Sequence, residues 1–140
     1  MYSKQRLSEE LLEVMEGWYG DKLTLTSIYG VRKYTNESVL RMHVDTANTH
    51  VVSAIINVDQ EVNTPAKQEG GLGGDGDDED WPLVILDHDG VEHRLVMRPG
   101  DLLLYESAKL LHGRPTPLRA TSYSNIFIHY MPHDWDIRGL

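Results

Sequence analysis

The sequence contains no cysteine. Disulfides, thiolate metal sites and cysteine nucleophiles are therefore excluded, and any metal ion has to be held by histidine, aspartate, glutamate or water. The chain also has no apolar run long enough to cross a membrane. Residues 1–16 mix charged residues with leucines and do not form the apolar segment of a signal peptide. We expect a cytoplasmic or otherwise intracellular protein with no membrane partner, either whole or trimmed from a longer chain.

Basic residues are scarce, with 13 lysines and arginines against 22 acidic residues and a formal net charge of −9. Seven of the acids but only one lysine lie between Glu61 and Asp80. The acidity therefore belongs mainly to one segment and says little about the rest of the chain. No stripe of lysine and arginine of the kind that binds nucleic acid is present, so we expect no nucleic-acid partner.

Residues 60–80 differ from the rest of the chain because they are rich in glycine and acid and show no apolar periodicity. Such a composition is typical of a mobile or disordered loop. A long loop in a small domain can also be functional, so a lid that is ordered by substrate stays open as an alternative.

The remaining pattern predicts one domain over residues 1–140, with a helix followed by short strands. Apolar residues from Leu11 to Trp18 have helical spacing, with a start near Ser8 and a stop at Gly17 or Gly20. After them, alternating and β-branched runs punctuated by turn residues predict about seven strands. The predicted strands are 23–34, 39–43, 48–58, 81–86, 91–97, 102–105 and 123–130. The fold class is mainly β, of the jelly-roll type.

The chemistry is indicated by His43-Val44-Asp45 and by the distant His112, which precedes Gly113. Alternate side chains of a strand point the same way, so His43 and Asp45 can converge on one ion. Two histidines and one carboxylate form the facial triad of non-haem Fe(II) oxygenases, which leaves the other metal positions open. The sequence therefore predicts a metal site built from these three residues.

Other histidines offer rival sites. Asp87-His88-Asp89 with His93 is a second cluster of carboxylates and imidazoles, but the Asp89-Gly90 pair favours a polar hairpin turn. His129 lies among apolar strand residues and is interpreted as a hydrogen-bonded sheet histidine rather than a ligand.

The order of these motifs resembles the catalytic core of 2-oxoglutarate and Fe(II)-dependent dioxygenases, in particular the prolyl 4-hydroxylase-like branch. The resemblance covers roughly residues 24–131. It rests on Tyr34, His43-Val44-Asp45, Asn57, Arg98-Pro99-Gly100-Asp101, Tyr105-Glu106-Ser107 and His112-Gly113.

The resemblance implies a double-stranded β-helix (jelly-roll) core supported by the N-terminal helix. It also implies Fe(II) held by His43, Asp45 and His112, with 2-oxoglutarate as the co-substrate, O₂ as the oxidant and ascorbate as an auxiliary reductant. Tyr34 matches a tyrosine that hydrogen-bonds the co-substrate. The implied reaction hydroxylates a C–H bond and converts 2-oxoglutarate to succinate and CO₂.

The implied substrate is a protein or peptide, with a peptidyl proline as the first expectation. A free amino acid or another side chain stays open, as does a metal-binding jelly-roll module without oxygenase activity. The oligomeric state is not predicted.

The chain departs from the family pattern at the cation that pairs with the far carboxylate of 2-oxoglutarate. A buried carboxylate needs such a partner, and an arginine fork suits it. The usual positions after the distal histidine hold Thr121 and Ser122 here. Arg119 is the favoured replacement and Arg114 the next, while Arg41 and Lys109 stay open.

Overall fold

Two four-stranded antiparallel sheets and one helix make up the computed structural model, which describes residues 4–47, 49–62 and 81–135. The first sheet has the strand order β1-β8-β3-β6 and the second has the order β2-β7-β4-β5. The elements are α1 (Lys4–Tyr19), β1 (Leu23–Thr35), β2 (Leu40–His43), β3 (Val52–Val62), β4 (Leu83–Leu86), β5 (Glu92–Leu95), β6 (Leu102–Tyr105), β7 (His112–Arg114) and β8 (Ala120–Pro132). This arrangement confirms the predicted mainly-β jelly roll with an N-terminal helix.

Helix α1 covers the outer face of the first sheet. Its buried residues Leu11 and Met15 join a cluster with Ala54, Ile128 and Tyr130 of β3 and β8. These residues are at most 9% exposed, so burial of their apolar surface fixes the helix to the sheet.

The inner faces of the two sheets form a second core. Ile55 and Tyr105 from the first sheet pack with Leu83 and Ile85 from the second. A third cluster, centred on Trp81 and Tyr123, closes one end of the space between the sheets. The polar side chains described below lie in the remaining space.

The predicted start of the helix at Ser8 is wrong, because α1 already includes Lys4. Ser8 is buried within the helix, where its hydroxyl donates to the carbonyl oxygen of Gln5 at 2.8 Å. The predicted stop at Gly20 agrees with the structure, since this residue has a φ of +93° and its N–H donates to the carbonyl oxygen of Glu16. A positive φ is strained for residues with a Cβ, which is why glycine suits the end of a helix.

Strand β3 extends to Val62 and so includes the first residues of the predicted 60–80 loop. The strand continues because Gln60 and Glu61 pair with Tyr123 and Ser122 of the long strand β8. The rest of that loop prediction, residues 63–80, lies outside the described residues. Among the described residues, no helix is long and apolar enough to span a membrane.

Candidate metal centre and cavity

Two of the predicted metal ligands face each other across a pair of strands. Strands β2 and β7 are antiparallel, and His43 is the register partner of His112. The centroids of their imidazole rings lie 4.5 Å apart. The pairing therefore brings together two residues that are far apart in the sequence.

Asp45 completes the group, although it does not lie on a strand as predicted. Strand β2 ends at His43, and the backbone N–H of Asp45 donates to the carbonyl oxygen of Ser107 at 2.8 Å. Its Oδ1 atom lies 3.3 Å from Nε2 of His43 and 3.4 Å from Nε2 of His112. One ligand atom from each of the three residues lies within 4.8 Å of the others. Among the described residues this is the one group of three or more such side chains with that spacing.

Backbone hydrogen bonds set the orientation of both imidazoles. Nδ1 of His43 lies 2.8 Å from the carbonyl oxygen of Arg41, and Nδ1 of His112 lies 2.8 Å from that of Leu110. Because a carbonyl oxygen only accepts, Nδ1 carries the hydrogen and the neutral ring presents its Nε2 lone pair. Metal-ligating histidines are typically held in this way.

The donor set therefore fits a divalent cation. The Nε2 atoms of His43 and His112 both lie close to Oδ1 of Asp45. All three atoms present lone pairs, which repel one another unless a cation lies between them. An ion placed between the three groups removes this conflict. Imidazole and carboxylate ligands without thiolate suit Fe(II).

Asp45 is a carboxylate at neutral pH. Burial raises its pKa, but the surrounding imidazoles of His112, His129 and His43 outweigh that effect and lower the pKa overall. The side chain is 12% exposed, so the charge lies largely out of water. The Asp45 carboxylate is therefore already ionised at neutral pH and can bind a metal ion without first losing a proton to another group.

A cavity of about 180 Å³ opens beside the three ligands. It lies between the inner faces of the two sheets. Its lining residues are Tyr29, Arg32, Tyr34, Leu40, His43, Asp45, His50, Ile55, Leu83, Tyr105, His112, Arg114, Phe127 and His129.

Arg114 provides a buried cation in this cavity. It is 2% exposed, and its guanidinium lies 4.7 Å from the ring of Trp81 and 4.6 Å from the ring of Tyr123. Burial lowers the pKa of Arg114, while the nearby tyrosines Tyr123, Tyr34 and Tyr105 oppose that shift. Neither terminal nitrogen has a hydrogen-bond partner within the described part of the chain.

A buried guanidinium without an acceptor is costly, and an anion in the cavity would supply the missing partner. His112 and Arg114 are two residues apart on β7, so their side chains leave the same face of the strand. The metal ligand and the cation therefore line one cavity at a separation of about 7 Å along the strand.

Known structures resemble this arrangement in fold. A 2OG-Fe(II) oxygenase family protein from Burkholderia pseudomallei matches with a TM-score of 0.64 and 14% identity, over 94% of this chain and 52% of its own. A prolyl-4-hydroxylase from Pseudomonas putida matches with a TM-score of 0.60 and 17% identity, over 94% of this chain and 65% of its own. A non-heme monooxygenase solved as a nickel complex matches with a TM-score of 0.58 and 12% identity, over 93% of this chain and 54% of its own.

The chain has the fold of the 2OG-Fe(II) oxygenases. It spans between half and two thirds of the length of these three proteins. No protein-family model matches the sequence, and no curated protein matches it.

Within this oxygenase fold, Arg119 does not occupy the cavity, and the preference for it as the co-substrate cation is wrong. Its side chain is 58% exposed and lies 3.8 Å from Oε1 of Glu37. Its neighbours Leu118 and Ala120 are completely buried, so Arg119 between them points outward. Arg41 and Lys109 are also exposed and do not line the cavity.

Tyr34 lines the cavity, as its expected contact with the co-substrate requires. Its ring packs edge-on against Trp81, with centroids 4.9 Å apart. Burial raises the pKa of Tyr34 despite the opposing charges of Arg32 and Arg114. The phenol is therefore protonated at neutral pH and can donate a hydrogen bond.

The rival cluster is a surface feature, as interpreted from the sequence. His93 pairs with Asp87 at 2.8 Å and His88 pairs with Glu106 at 2.8 Å. The Asp87 carboxylate also accepts the backbone N–H groups of Asp89 and Val91, so its first role is to shape the turn.

His129 and His50 lie beside the triad, which the sequence analysis did not predict. Nδ1 of His129 lies 2.6 Å from the hydroxyl oxygen of Ser53 and 3.8 Å from Oδ2 of Asp45. Its ring stacks on His50 with centroids 3.9 Å apart. Burial and the neighbouring His50 lower the pKa of His129 to about 4. The sequence contained a signal for His129, because alternation along β8 places its side chain on the same face of the strand as Tyr123. His50 lies in a loop, where no such alternation exists.

Proposed function

We propose that this protein is a 2-oxoglutarate-dependent Fe(II) oxygenase that hydroxylates a C–H bond. The observation that carries the proposal is one cavity with two features. It holds a convergent group of two histidines and an aspartate, and a buried arginine whose terminal nitrogens have no hydrogen-bond partner among the described residues. The first half of this arrangement suits a metal ion, and the second suits the far carboxylate of a co-substrate.

His43, Asp45 and His112 are the residues that would hold Fe(II). Bound there, the iron supplies the oxidising chemistry with O₂ and 2-oxoglutarate, because protein side chains do not provide it. Three protein ligands on one side leave positions open for the keto acid and oxygen. The protein supplies the orientation of both imidazoles through the carbonyl oxygens of Arg41 and Leu110.

Arg114 and Tyr34 would bind the co-substrate. Arg114 offers two terminal nitrogens, which suit a carboxylate fork to fork. Trp81 and Tyr123 hold the guanidinium between their rings, so little side-chain freedom is lost on binding. The protonated phenol of Tyr34 is the second donor in the same part of the cavity.

Apolar and aromatic side chains close the inner side of the metal site, whereas the His43 side chain is 40% exposed. Tyr105 is 5% exposed and packs edge-on against His112, with ring centroids 4.8 Å apart. Burial raises the pKa of Tyr105, so its hydroxyl stays protonated. Ile55 and Leu83 from opposite sheets close the inner side of the cavity.

A peptidyl proline is the first substrate to test. The support is the motif order of the sequence and the fold likeness to the prolyl-4-hydroxylase of Pseudomonas putida. A free amino acid or another side chain is the alternative within the same chemistry. The chain spans only 52–65% of the length of these neighbours, so the substrate needs a direct assay.

Thermal unfolding with metal and 2-oxoglutarate tests the proposed function against a metal-binding module without oxygenase activity. A ligand that binds only the metal-loaded native state raises the melting temperature only when the metal is present. We expect 2-oxoglutarate to do so with Mn(II) or Fe(II), and expect no effect in the Asp45→Ala variant. A rise with metal alone, and none from 2-oxoglutarate, would favour the binding module.

A further inference from the structure

Arg32 is a second cation on the cavity wall, and the co-substrate does not account for it. The cavity lining contains one carboxylate, that of Asp45, and two guanidiniums, those of Arg32 and Arg114. Arg114 is buried, whereas Arg32 is exposed and so lies where the cavity opens to solvent.

The position of Arg32 follows from an irregularity in β1. The register of β1 against β8 shifts between Tyr29 and Arg32, after which Arg32 is the partner of Asn125. The guanidinium lies 5.5 Å from the centroid of the Tyr34 ring, which holds it against the cavity wall. Arg32 makes no ion pair with any described acidic residue, whereas the exposed Arg119 pairs with Glu37.

Two further rings of the cavity lining lie between solvent and the metal ligands. Tyr29 is 49% exposed, and its ring centroid lies 5.4 Å from that of His129. His129 in turn lies 3.8 Å from Asp45. Tyr29 and His129 therefore line the same cavity as Arg32 and the metal ligands.

Within the part of the chain that the structure describes, the charges of the loaded site leave Arg32 without a counterion. The formal charges of the loaded site sum to zero if its imidazole ligands are neutral. The positive charges are those of Fe(II) and the Arg114 guanidinium, and the negative charges are those of the Asp45 carboxylate and doubly charged 2-oxoglutarate. One positive charge then remains at the opening, where an anionic group on an incoming molecule is attracted.

We propose that the substrate carries a carboxylate that pairs with Arg32 while its reacting C–H bond lies near the metal. This inference rests on the proposed function and narrows its substrate class. The carboxylate belongs either to a free amino acid or to an acidic residue next to the reacting residue of a peptide. Both sources present the same chemistry to Arg32.

Matched acids and amides test the pairing on the protein loaded with Fe(II) and 2-oxoglutarate without oxygen. The first pair is L-proline and L-prolinamide, and the second is a terminally blocked Pro-Glu dipeptide and its Pro-Gln counterpart. Binding is measured as the shift in melting temperature, and turnover in air as succinate formation. The variants are Arg32→Ala, Arg32→Lys and, as control, Lys33→Ala, which removes the next cation on β1 from the opposite face of the strand.

We expect an acid from one pair to bind and its amide to bind at least about tenfold more weakly, as loss of a charged hydrogen bond predicts. Arg32→Ala should remove this preference, Arg32→Lys should keep part of it, and Lys33→Ala should leave it unchanged. The pair that shows the preference identifies a free amino acid or a peptide as the source of the carboxylate.

Equal binding of acid and amide, binding of neither acid, or an unchanged preference in Arg32→Ala would overturn the inference. Loss of the 2-oxoglutarate effect in Arg32→Ala would also overturn it, because Arg32 would then belong to the co-substrate site. The proposed function is judged separately, since the wild-type response to Fe(II) and 2-oxoglutarate is recorded before any acid is added.

Discussion

Arg114 follows His112 by two residues on β7, and both side chains face the cavity between the sheets. One short strand thus carries a candidate metal ligand and the buried cation that suits the co-substrate. Thr121 and Ser122 stand where the family resemblance led us to expect a cation, so Arg114 is the residue to test in its place.

Arg114→Met should weaken the binding of 2-oxoglutarate to the metal-loaded protein by about 100-fold or more. Loss of one member of a buried ion pair costs about 3–5 kcal/mol. The matched control is Arg119→Met, which changes an exposed arginine and should leave the affinity unchanged. Calorimetric titration gives both dissociation constants, and equal effects of the two variants would contradict the assignment.

The same Arg114→Met variant should fold as stably as the wild type when metal and 2-oxoglutarate are absent. The terminal nitrogens of Arg114 have no described hydrogen-bond partner, so an apolar side chain removes a costly buried charge. Lost contacts with Trp81 and Tyr123 oppose this gain. Urea unfolding measures the difference, and a loss above about 3 kcal/mol would show that Arg114 has a structural role instead.

Gly113→Ala should reduce metal affinity although it changes no ligand. A Cβ at this position would lie 2.7 Å from the carbonyl oxygen of Arg41 and 2.8 Å from that of Leu40. Both are backbone atoms of β2, so the strand that carries His43 must move away from His112. We expect at least about a tenfold loss of metal affinity and a destabilisation of about 1–3 kcal/mol.

Gly17→Ala is the matched control for this substitution. Gly17 is within α1, and apart from its chain neighbours and the helix backbone no described atom lies within 4 Å of a Cβ at this position. The change should raise stability by about 0.5–1 kcal/mol and leave metal affinity unchanged. If Gly113→Ala binds metal as tightly as the wild type, the spacing between β2 and β7 does not position the ligands.

Metal ions should stabilise the protein only through the three converging ligands. At a metal concentration about 100 times the dissociation constant, we expect a rise of about 8 °C in the melting temperature. His112→Ala should abolish the rise, whereas His93→Ala, in the exposed pair with Asp87, should keep it. The reverse pattern would place the metal at the hairpin of β4 and β5.

The metal-free protein should lose stability as the pH falls from about 6.5 to about 4, partly because of His129. Its pKa in the folded protein is about 4, below the ordinary value of 6.5, so the unfolded chain binds the extra proton first. The stability that the neutral His129 imidazole contributes is fully present above pH 6.5, the pKa of the unfolded chain. It is lost progressively as the pH falls toward the pKa of about 4 in the folded protein, by about 3 kcal/mol at most. His129→Asn should show a shallower slope in urea unfolding between these pH values, and an unchanged slope would contradict the buried neutral imidazole.

The strands and the His43–Asp45 half of the triad could be predicted because their signals are local, whereas His112 is added by the order of motifs in the family resemblance. Alternation, turn residues and the His43-Val44-Asp45 spacing are read directly from short segments. The site beyond the triad depends on burial and on contacts between distant strands. Arg119 is the example, since the complete burial of Leu118 and Ala120 turns its side chain outward.

Other parts of the site have little or no sequence signal. His50 lies in a loop and reaches the cavity only because it stacks on His129 of β8. Arg114 lies on a strand of three residues, too short for a periodic pattern. Its spacing of two from His112 was the available hint, because it places both side chains on one face.

The most direct test of the central claim is an anaerobic absorption spectrum of the protein with Fe(II), before and after addition of 2-oxoglutarate. The account predicts a weak visible charge-transfer band that needs both additions, is absent in His112→Ala and requires much more 2-oxoglutarate in Arg114→Met. Iron binding to the wild type without this band at saturating 2-oxoglutarate would contradict the account.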